Sequence, residues 1–149
     1  MKQATDELLK THRLIKKLLQ GFSIGHERFA EVIKTLRRAV AAHAWFEESI
    51  FHAVLRKNRV VDGRFIDELV QEHKDLDHLL NSLQKTPLSM KRELEAHTRQ
   101  IRVILETHLE KEREALYPLA ASVLDVKTMA KLAEKMESEK SNVRGLTKD

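Results

Sequence analysis

Cysteine is absent from the 149-residue chain, and glycine, with 4 residues, and proline, with 2, are scarce. The lack of thiols excludes disulfides, thiolate zinc sites, iron–sulfur clusters and thiol catalysis, and it leaves the redox compartment undetermined. Glycine and proline fall well below their average usage of about 7% and 5%. So few turn-forming residues predict few turns and therefore long elements, which in a soluble domain are helices.

Long apolar runs and blocks of like charge are also missing. No stretch approaches the roughly 20 apolar residues that cross a bilayer, and the first residues lack the apolar core of a signal peptide. The 27 basic and 23 acidic residues are interspersed and give a formal net charge of +4. This balance gives no indication of a nucleic-acid or membrane partner. We therefore predict a soluble, cytoplasmic protein that binds neither.

Apolar residues recur at helical spacings along most of the chain, and no segment shows the strict alternation of a half-buried strand. The predicted helices cover about residues 5–20, 26–57, 64–85, 89–122 and 125–140. Thr5 or Asp6 is expected to cap the first helix and Ser89 the fourth. Pro118 is expected to kink or end the fourth helix locally.

Four long helices with short connections predict an all-α, up-down-up-down four-helix bundle, with the shorter fifth helix covering one end or side. The chain length suits a single domain over residues 1–149, with a core at about 5–122, a C-terminal helix at about 125–140 and a polar tail at 141–149. If the second helix begins at His26, then His12 and His43 lie at different distances from the turn that joins the first two helices, and they would not meet at one level of the bundle. Residues 21 to about 28 are therefore expected to overshoot the bundle or to leave the straight helix.

Each of the four core-facing stripes carries a histidine near its middle, namely His12, His43, His73 and His108. Glu47 and Glu112 follow the second and fourth of these by four residues, a spacing that places both side chains on one helix face. These polar groups stand where leucine or isoleucine would otherwise pack. Burying a carboxylate costs several kcal/mol unless it is paired or bound to a metal, so a cation is the natural partner.

The first and second helix pairs carry the same layout, a histidine followed by a His-x3-Glu motif after 31 residues in one pair and 35 in the other. Packed together, the pairs would bring four imidazoles and two carboxylates to one point, which describes a dinuclear metal site. Nitrogen and oxygen ligands suit iron or manganese better than calcium or magnesium, and zinc stays open. A metal-free bundle with hydrogen-bonded core histidines is the alternative.

The positions of other polar residues are predicted from their spacing along the sequence relative to these histidines. Asp77 follows His73 by four residues and is expected to face the site, as an acceptor that orients a ligand histidine or as a weak ligand rather than a primary one, with an ion-pair role as the alternative. Tyr117 lies one turn past Glu112 and is the best candidate for a polar group near a bound small molecule. The other histidines are expected at the surface or around the site, and His52 should face away.

With these residues in place, the sequence resembles the hemerythrin-like family of HHE cation-binding domains, from about His12 to Ala120. The segments that carry the resemblance are residues 11–15, 43–48, 72–73, 108–112 and 116–120. The family implies a four-helix bundle holding two non-haem iron ions, bridged by carboxylates and by an oxo or hydroxo group. Manganese or zinc could take the place of iron. Carried over residue by residue, the terminal ligands are His12, His43, His73 and His108, and the bridging or chelating groups are Glu47 and Glu112.

Two positions depart from the oxygen-carrying branch of that family. Those carriers have a histidine where this chain has Asp77, and their fourth-helix carboxylate is an aspartate five residues after the histidine, not Glu112 at four. The set of four histidines and two glutamates looks closer to the branch of iron-centre repair proteins and iron-sensing domains.

The resemblance implies a protein whose di-iron centre binds dioxygen, nitric oxide or peroxide for sensing, storage or stress response. Two alternatives stay open. One is a di-iron enzyme, either a nitric oxide or peroxide reductase or an iron donor for damaged centres. The other is a metal-dependent regulatory module that acts through a protein partner, which the sequence does not identify.

Overall fold

A computed structural model describes residues 2–25 and 27–141. In these ranges the chain is helical apart from short connections, with no strand. The elements are α1 (Ala4–Gln20), α2 (Phe29–Phe46), a first π turn (Glu47–Phe51), α3 (His52–Lys57), α4 (Gly63–Lys85), α5 (Lys91–Lys111), a second π turn (Glu112–Leu116), α6 (Tyr117–Val123) and α7 (Val126–Ser138). Each π turn joins its flanking α-helices without a break, so the described residues build four long helices and a shorter fifth.

The four long helices form the predicted up-down-up-down bundle. α1 packs against α2, α2 against α4, and α4 against α5. The shorter α7 packs along α1 and reaches the first π turn, so the predicted position of the fifth helix on one side of the bundle is confirmed.

None of the described helices is both long and apolar enough to span a membrane.

The connection between the first two long helices is longer than the periodicity indicated. α2 begins at Phe29, and the described residues before it, 21–25 and 27–28, form turns. The expectation that this segment leaves the straight helix is therefore confirmed. Arg102 of α5 closes the end of α1, because its guanidinium donates to the carbonyl oxygens of Leu19 and Phe22 at 2.8 and 2.7 Å. These are groups that a helix end leaves without partners.

The predicted N-caps of two helices are wrong. Gln3, not Thr5 or Asp6, precedes α1, and the Asp6 carboxylate instead accepts a hydrogen bond from the Gln3 backbone N–H at 3.0 Å. α5 is preceded by Met90 rather than Ser89. The backbone N–H of Met90 bonds to the carbonyl of Pro87 at 3.0 Å, and this turn takes up Ser89 before the helix begins.

Pro118 does not end the fourth long helix. It is the second residue of α6, directly after the second π turn, and the helix continues to Val123. Proline lacks a backbone N–H and its ring crowds the preceding turn. The irregularity expected at this proline takes the form of a widened π turn just before it.

The hydrophobic core has two parts, one on each side of a polar layer. One part is built around Leu8, Phe51, Leu55, Ile66, Leu69 and Leu116 and is covered by Met129 and Met136 of α7. The other is built around Ile15, Leu36, Leu76, Leu80, Leu83 and Leu105. Along every long helix the histidine of the central stripe lies between residues of the two parts. Both ends of the bundle are therefore apolar, and they hold the polar layer at a fixed height.

We expect Leu83→Ala to lower the free energy of unfolding by about 2–5 kcal/mol, because Leu83 is 1% exposed and its truncation leaves a cavity. The matched control is Leu88→Ala, whose side chain is 65% exposed and should change stability by less than about 0.5 kcal/mol. Denaturant unfolding of the metal-free protein measures both. Equal effects of the two substitutions would contradict the assigned core.

Candidate metal centre

The structure brings all six of the predicted ligand side chains together in the polar layer. α1, α2, α4 and α5 each contribute one histidine, and the two glutamates are the first residues of the two π turns. None of the six is more than 5% exposed, and both glutamates are fully buried. The six residues are His12, His43, Glu47, His73, His108 and Glu112.

The four imidazoles form two pairs. The ring centroids of His12 and His43 are 4.8 Å apart, and those of His73 and His108 are 4.7 Å apart. Between the pairs the separations are larger, 6.1 Å from His43 to His73 and 6.2 Å from His43 to His108. Each pair comes from one half of the internal repeat.

The two carboxylates lie between these imidazole pairs. Glu112 Oε1 is 2.9 Å from His43 Nε2, 3.1 Å from His12 Nε2 and 3.2 Å from His108 Nε2. Glu47 Oε1 is 2.9 Å from His43 Nε2 and 3.2 Å from His73 Nε2. Yet Glu47 Oε1, like Glu112 Oε2, makes no hydrogen bond within the described part of the chain. The contacts from His12 and His43 to Glu112 Oε1 have hydrogen-bond geometry, and a shared cation would fit between the other close nitrogen and oxygen atoms.

Outward hydrogen bonds fix the orientation of three of the four rings. Nδ1 of His73 is 2.8 Å from a Glu48 carboxylate oxygen, and Nδ1 of His108 is 2.9 Å from Glu72. An ionised carboxylate only accepts, so both Nδ1 atoms donate. Nδ1 of His43 is 2.8 Å from Thr11 Oγ1, whose own proton is donated to the Leu8 carbonyl at 2.7 Å. The threonine oxygen therefore accepts from His43.

When these three rings are neutral, Nδ1 carries the remaining proton and Nε2 presents a lone pair toward the carboxylates. Such an outward partner is typical of metal-bound histidine, where it sets the ring orientation and the tautomer. Nitrogen lone pairs and anionic oxygens facing one another across about 3 Å repel unless a cation lies between them. Ligand atoms from His43, Glu47, His73, His108 and Glu112 all lie within 4.8 Å of one another. The donor set therefore fits a metal.

Protons provide the balancing charge when no metal is bound. Burial alone would lower the pKa of His43, but the Glu47 and Glu112 carboxylates raise it to about 10. Burial likewise opposes the rise at His108, where Glu112, Glu47 and Glu72 raise the pKa to about 12. Burial raises the pKa of Glu47, but the His43 and His108 rings outweigh it and hold that pKa well below its usual range. In the metal-free cluster, imidazolium rings at His43 and His108 therefore face the two carboxylates, whereas burial lowers the pKa of His12.

The second π turn brings Tyr117 into the site. Five residues separate it from Glu112, which in a regular α-helix would rotate it about 140° away. A π turn bonds residue i to i+5, so the added residue returns the ring to the glutamate's face. The backbone N–H of Tyr117 bonds to the Glu112 carbonyl. Its hydroxyl donates to Glu47 Oε2 at 3.0 Å and lies 3.0 Å from His12 Nε2.

The first π turn likewise brings His52 next to the cluster. The prediction that His52 faces away is therefore wrong. Nine residues after His43 is about 180° of α-helix, but one extra residue in the turn removes about 100° of that rotation. His52 is 3% exposed, and its ring lies parallel to that of His73 at 6.3 Å between centroids. Burial lowers the pKa of His52. The sequence does contain a signal for the position of His52. His52 follows His43 by nine residues, which is the same spacing by which Tyr117 follows His108.

Asp77 lies outside the cluster, so the expectation that it orients a ligand or binds weakly is wrong. Its side chain is 60% exposed and pairs with Arg37 at 3.4 Å. Four residues turn a helix about 40° past His73, which is enough to place this short side chain at the α2–α4 surface. The orienting acceptors are instead Thr11, Glu48 and Glu72, which sequence spacing did not single out.

A groove between α2 and α4 leads from solvent to this cluster. Its volume is about 420 Å³, and its wall includes Trp45, Glu48, Ser49, His73 and Asp77. Glu48 lies at the boundary between solvent and the cluster, because its side chain is 37% exposed and yet bonds to His73. Among the other histidines, His78 is exposed and His97 is half-buried, and His26 falls outside the described residues.

Fold and site together define a four-helix bundle with a buried histidine and glutamate cluster. The sequence matches the family described as hemerythrin HHE cation binding domain over residues 3–120, and again over residues 64–149. The chain belongs to this hemerythrin HHE family. A crystal structure of an HHE domain-containing protein from Mycobacterium kansasii is similar to it, with a TM-score of 0.78, 22% identity, and coverage of 97% of this chain and 89% of that one. No curated protein matches the sequence.

We expect metal binding to release protons, because the raised pKa values of His43 and His108 keep both rings protonated at pH 7 and a ligand Nε2 must be free. The apparent affinity should therefore rise with pH. Anaerobic calorimetry with ferrous iron in buffers of different ionisation enthalpy would report about two protons released per loaded chain. A binding enthalpy that is independent of the buffer would contradict this account.

Thr11→Val is expected to lower metal affinity by about 10–100-fold, since it removes the acceptor that orients His43. The change keeps the volume and branching of the side chain. Thr107→Val on α5, where the threonine is exposed, is the matched control. Competition with a chelator measures both variants, and equal affinities would show that Thr11 does not orient the ring.

Proposed function

We propose that the cluster holds two iron ions and binds a small diatomic molecule, dioxygen or nitric oxide, or peroxide. On this proposal the protein serves in sensing, storage or stress response in the cytoplasm. The pairing of the imidazoles carries the proposal. Two histidines from each half of the repeat, 4.8 and 4.7 Å apart, with carboxylate oxygens between the pairs, match the needs of two neighbouring ions better than those of one.

The choice of iron rests on the donor types. Four imidazole nitrogens and two carboxylates are a mixed set of ligands that suits iron. Manganese or zinc could bind to the same atoms. His12 and His43 would hold one ion and His73 and His108 the other. Glu47 and Glu112, whose Oε1 atoms face imidazoles of both pairs, would bridge or chelate.

The burial of the site supports a small ligand. The six side chains are at most 5% exposed, so a bulky substrate could not reach them without opening the bundle. The α2–α4 groove is lined in part by His73 and would give a small molecule a short route inward. Bound iron would supply reversible ligand binding and electron transfer, and the apolar parts of the core keep bulk water away.

The protein's own groups would hold the protons in place. Burial and the Glu112 and Glu47 charges raise the pKa of Tyr117 well above its usual range, so its hydroxyl stays protonated and donates to Glu47 Oε2. Glu48 and Glu72 keep the protons of His73 and His108 on the outward Nδ1 atoms. Once the inner proton is released, this arrangement leaves the Nε2 atoms free for metal.

Metal content of matched variants tests the assignment. We expect elemental mass spectrometry to find about two irons per chain in protein reconstituted anaerobically with ferrous iron, and clearly less in His43→Ala and Glu112→Ala. His78→Ala removes an exposed histidine and should keep the full content. Unchanged content in both cluster variants, or a metal-free wild type, would refute the proposal.

A further inference from the structure

The two halves of the centre are alike in sequence but closed by different side chains. In the second half the positions four and nine residues after His108 are Glu112 and Tyr117. In the first half the positions four and nine residues after His43 are Glu47 and His52. Both glutamates open a π turn, so Tyr117 and His52 occupy equivalent places beside the cluster.

The Tyr117 side chain is itself fully hydrogen-bonded at the centre. Its hydroxyl reaches Glu47 Oε2, the carboxylate of the opposite half, and also lies against His12 Nε2. Its ring packs edge-on against Phe51 at 5.9 Å. This side is therefore filled by a hydrogen-bonded phenol and an apolar ring.

His52 leaves its own side unsatisfied. Neither of its ring nitrogens has a hydrogen-bond partner among the described residues, although the ring is only 3% exposed. By the repeat, its counterpart acceptor would be the opposite carboxylate, and Glu112 Oε2 likewise has no partner in the part of the chain described. A buried ring with both nitrogens unpaired is uncommon in folded proteins and indicates something to be bound there.

A solvent-open groove lies close to His52. The α2–α4 groove is lined in part by His73, and it is the His73 ring against which the His52 ring lies parallel. The groove and the unpaired His52 ring thus both lie beside the pair formed by His73 and His108. Tyr117 instead closes the pair formed by His12 and His43. Whether neutral or charged, the His52 ring carries at least one N–H to donate.

We propose that a small ligand binds on the His52 side of the centre, with the His52 N–H donating a hydrogen bond to it, while Tyr117 closes the opposite side. This inference rests on the proposed di-iron function, because the ligand needs the metal to hold its inner atom. The chemical class it fits is a short anion or polarised diatomic with an outer atom that accepts a hydrogen bond. Azide is the probe of this class.

The test is azide titration of the oxidised, iron-loaded protein, followed by its absorption spectrum, after the iron content of each variant has been measured. His52→Leu should weaken azide binding about ten-fold or more, the scale of a lost hydrogen bond to a charged ligand. His52→Gln keeps an N–H donor and should recover part of the affinity. Tyr117→Phe should change the dissociation constant less than His52→Leu, and His78→Leu should leave it unchanged.

Azide binding that is equally tight in wild type and His52→Leu would overturn the inference, as would equal losses in His52→Leu and His52→Gln or a larger loss in Tyr117→Phe. If His52→Leu fails to load iron, a crystal structure of the wild-type azide complex decides. Azide within hydrogen-bond distance of His52 supports the inference, and azide beside Tyr117 refutes it. A wild type that binds no iron would instead refute the proposed function before azide is tested.

Discussion

Two carboxylates buried at the centre of a four-helix bundle are the constraint on which the rest of this structure depends. Glu47 and Glu112 are fully buried, and an isolated buried carboxylate is strongly disfavoured. Protons on the His43 and His108 imidazoles supply compensating charge when no metal is bound, and a bound cation would supply it in their place. The apolar parts of the core on either side exclude water from this layer, which strengthens every charge interaction within it.

The π turns are the local device that makes the cluster possible. A regular helix can aim His43 and Glu47 at the axis, but a residue five positions after the glutamate would lie about 140° round the helix and could not take part. Widening the helix at each glutamate adds one residue and brings in a further side chain, His52 in one half and Tyr117 in the other. π turns are costly and tend to occur at functional sites, which agrees with their position here.

Much of the fold and most of the central cluster could be predicted from spacing alone, because helix periodicity and burial follow directly from residue order. The bundle, its fifth helix and the convergence of the six histidine and glutamate side chains were all expected. The errors came from geometry that regular α-helix arithmetic does not contain. His52 was placed on the wrong side because the π turn shifts the phase, and Asp77 was placed inward although a rotation of about 40° suffices to reach Arg37 at the surface. Thr11, Glu48 and Glu72 were missed because their roles depend on the neighbouring helix and not on their own.

The central claim is that the buried cluster binds two metal ions, one at each imidazole pair. Anomalous diffraction at the iron edge, from crystals of protein reconstituted anaerobically with ferrous iron, tests it most directly. We predict two peaks about 3.5–4 Å apart, the usual spacing in two-metal sites, one beside His12 and His43 and the other beside His73 and His108. A single peak, or peaks only at surface histidines such as His78, would contradict the account.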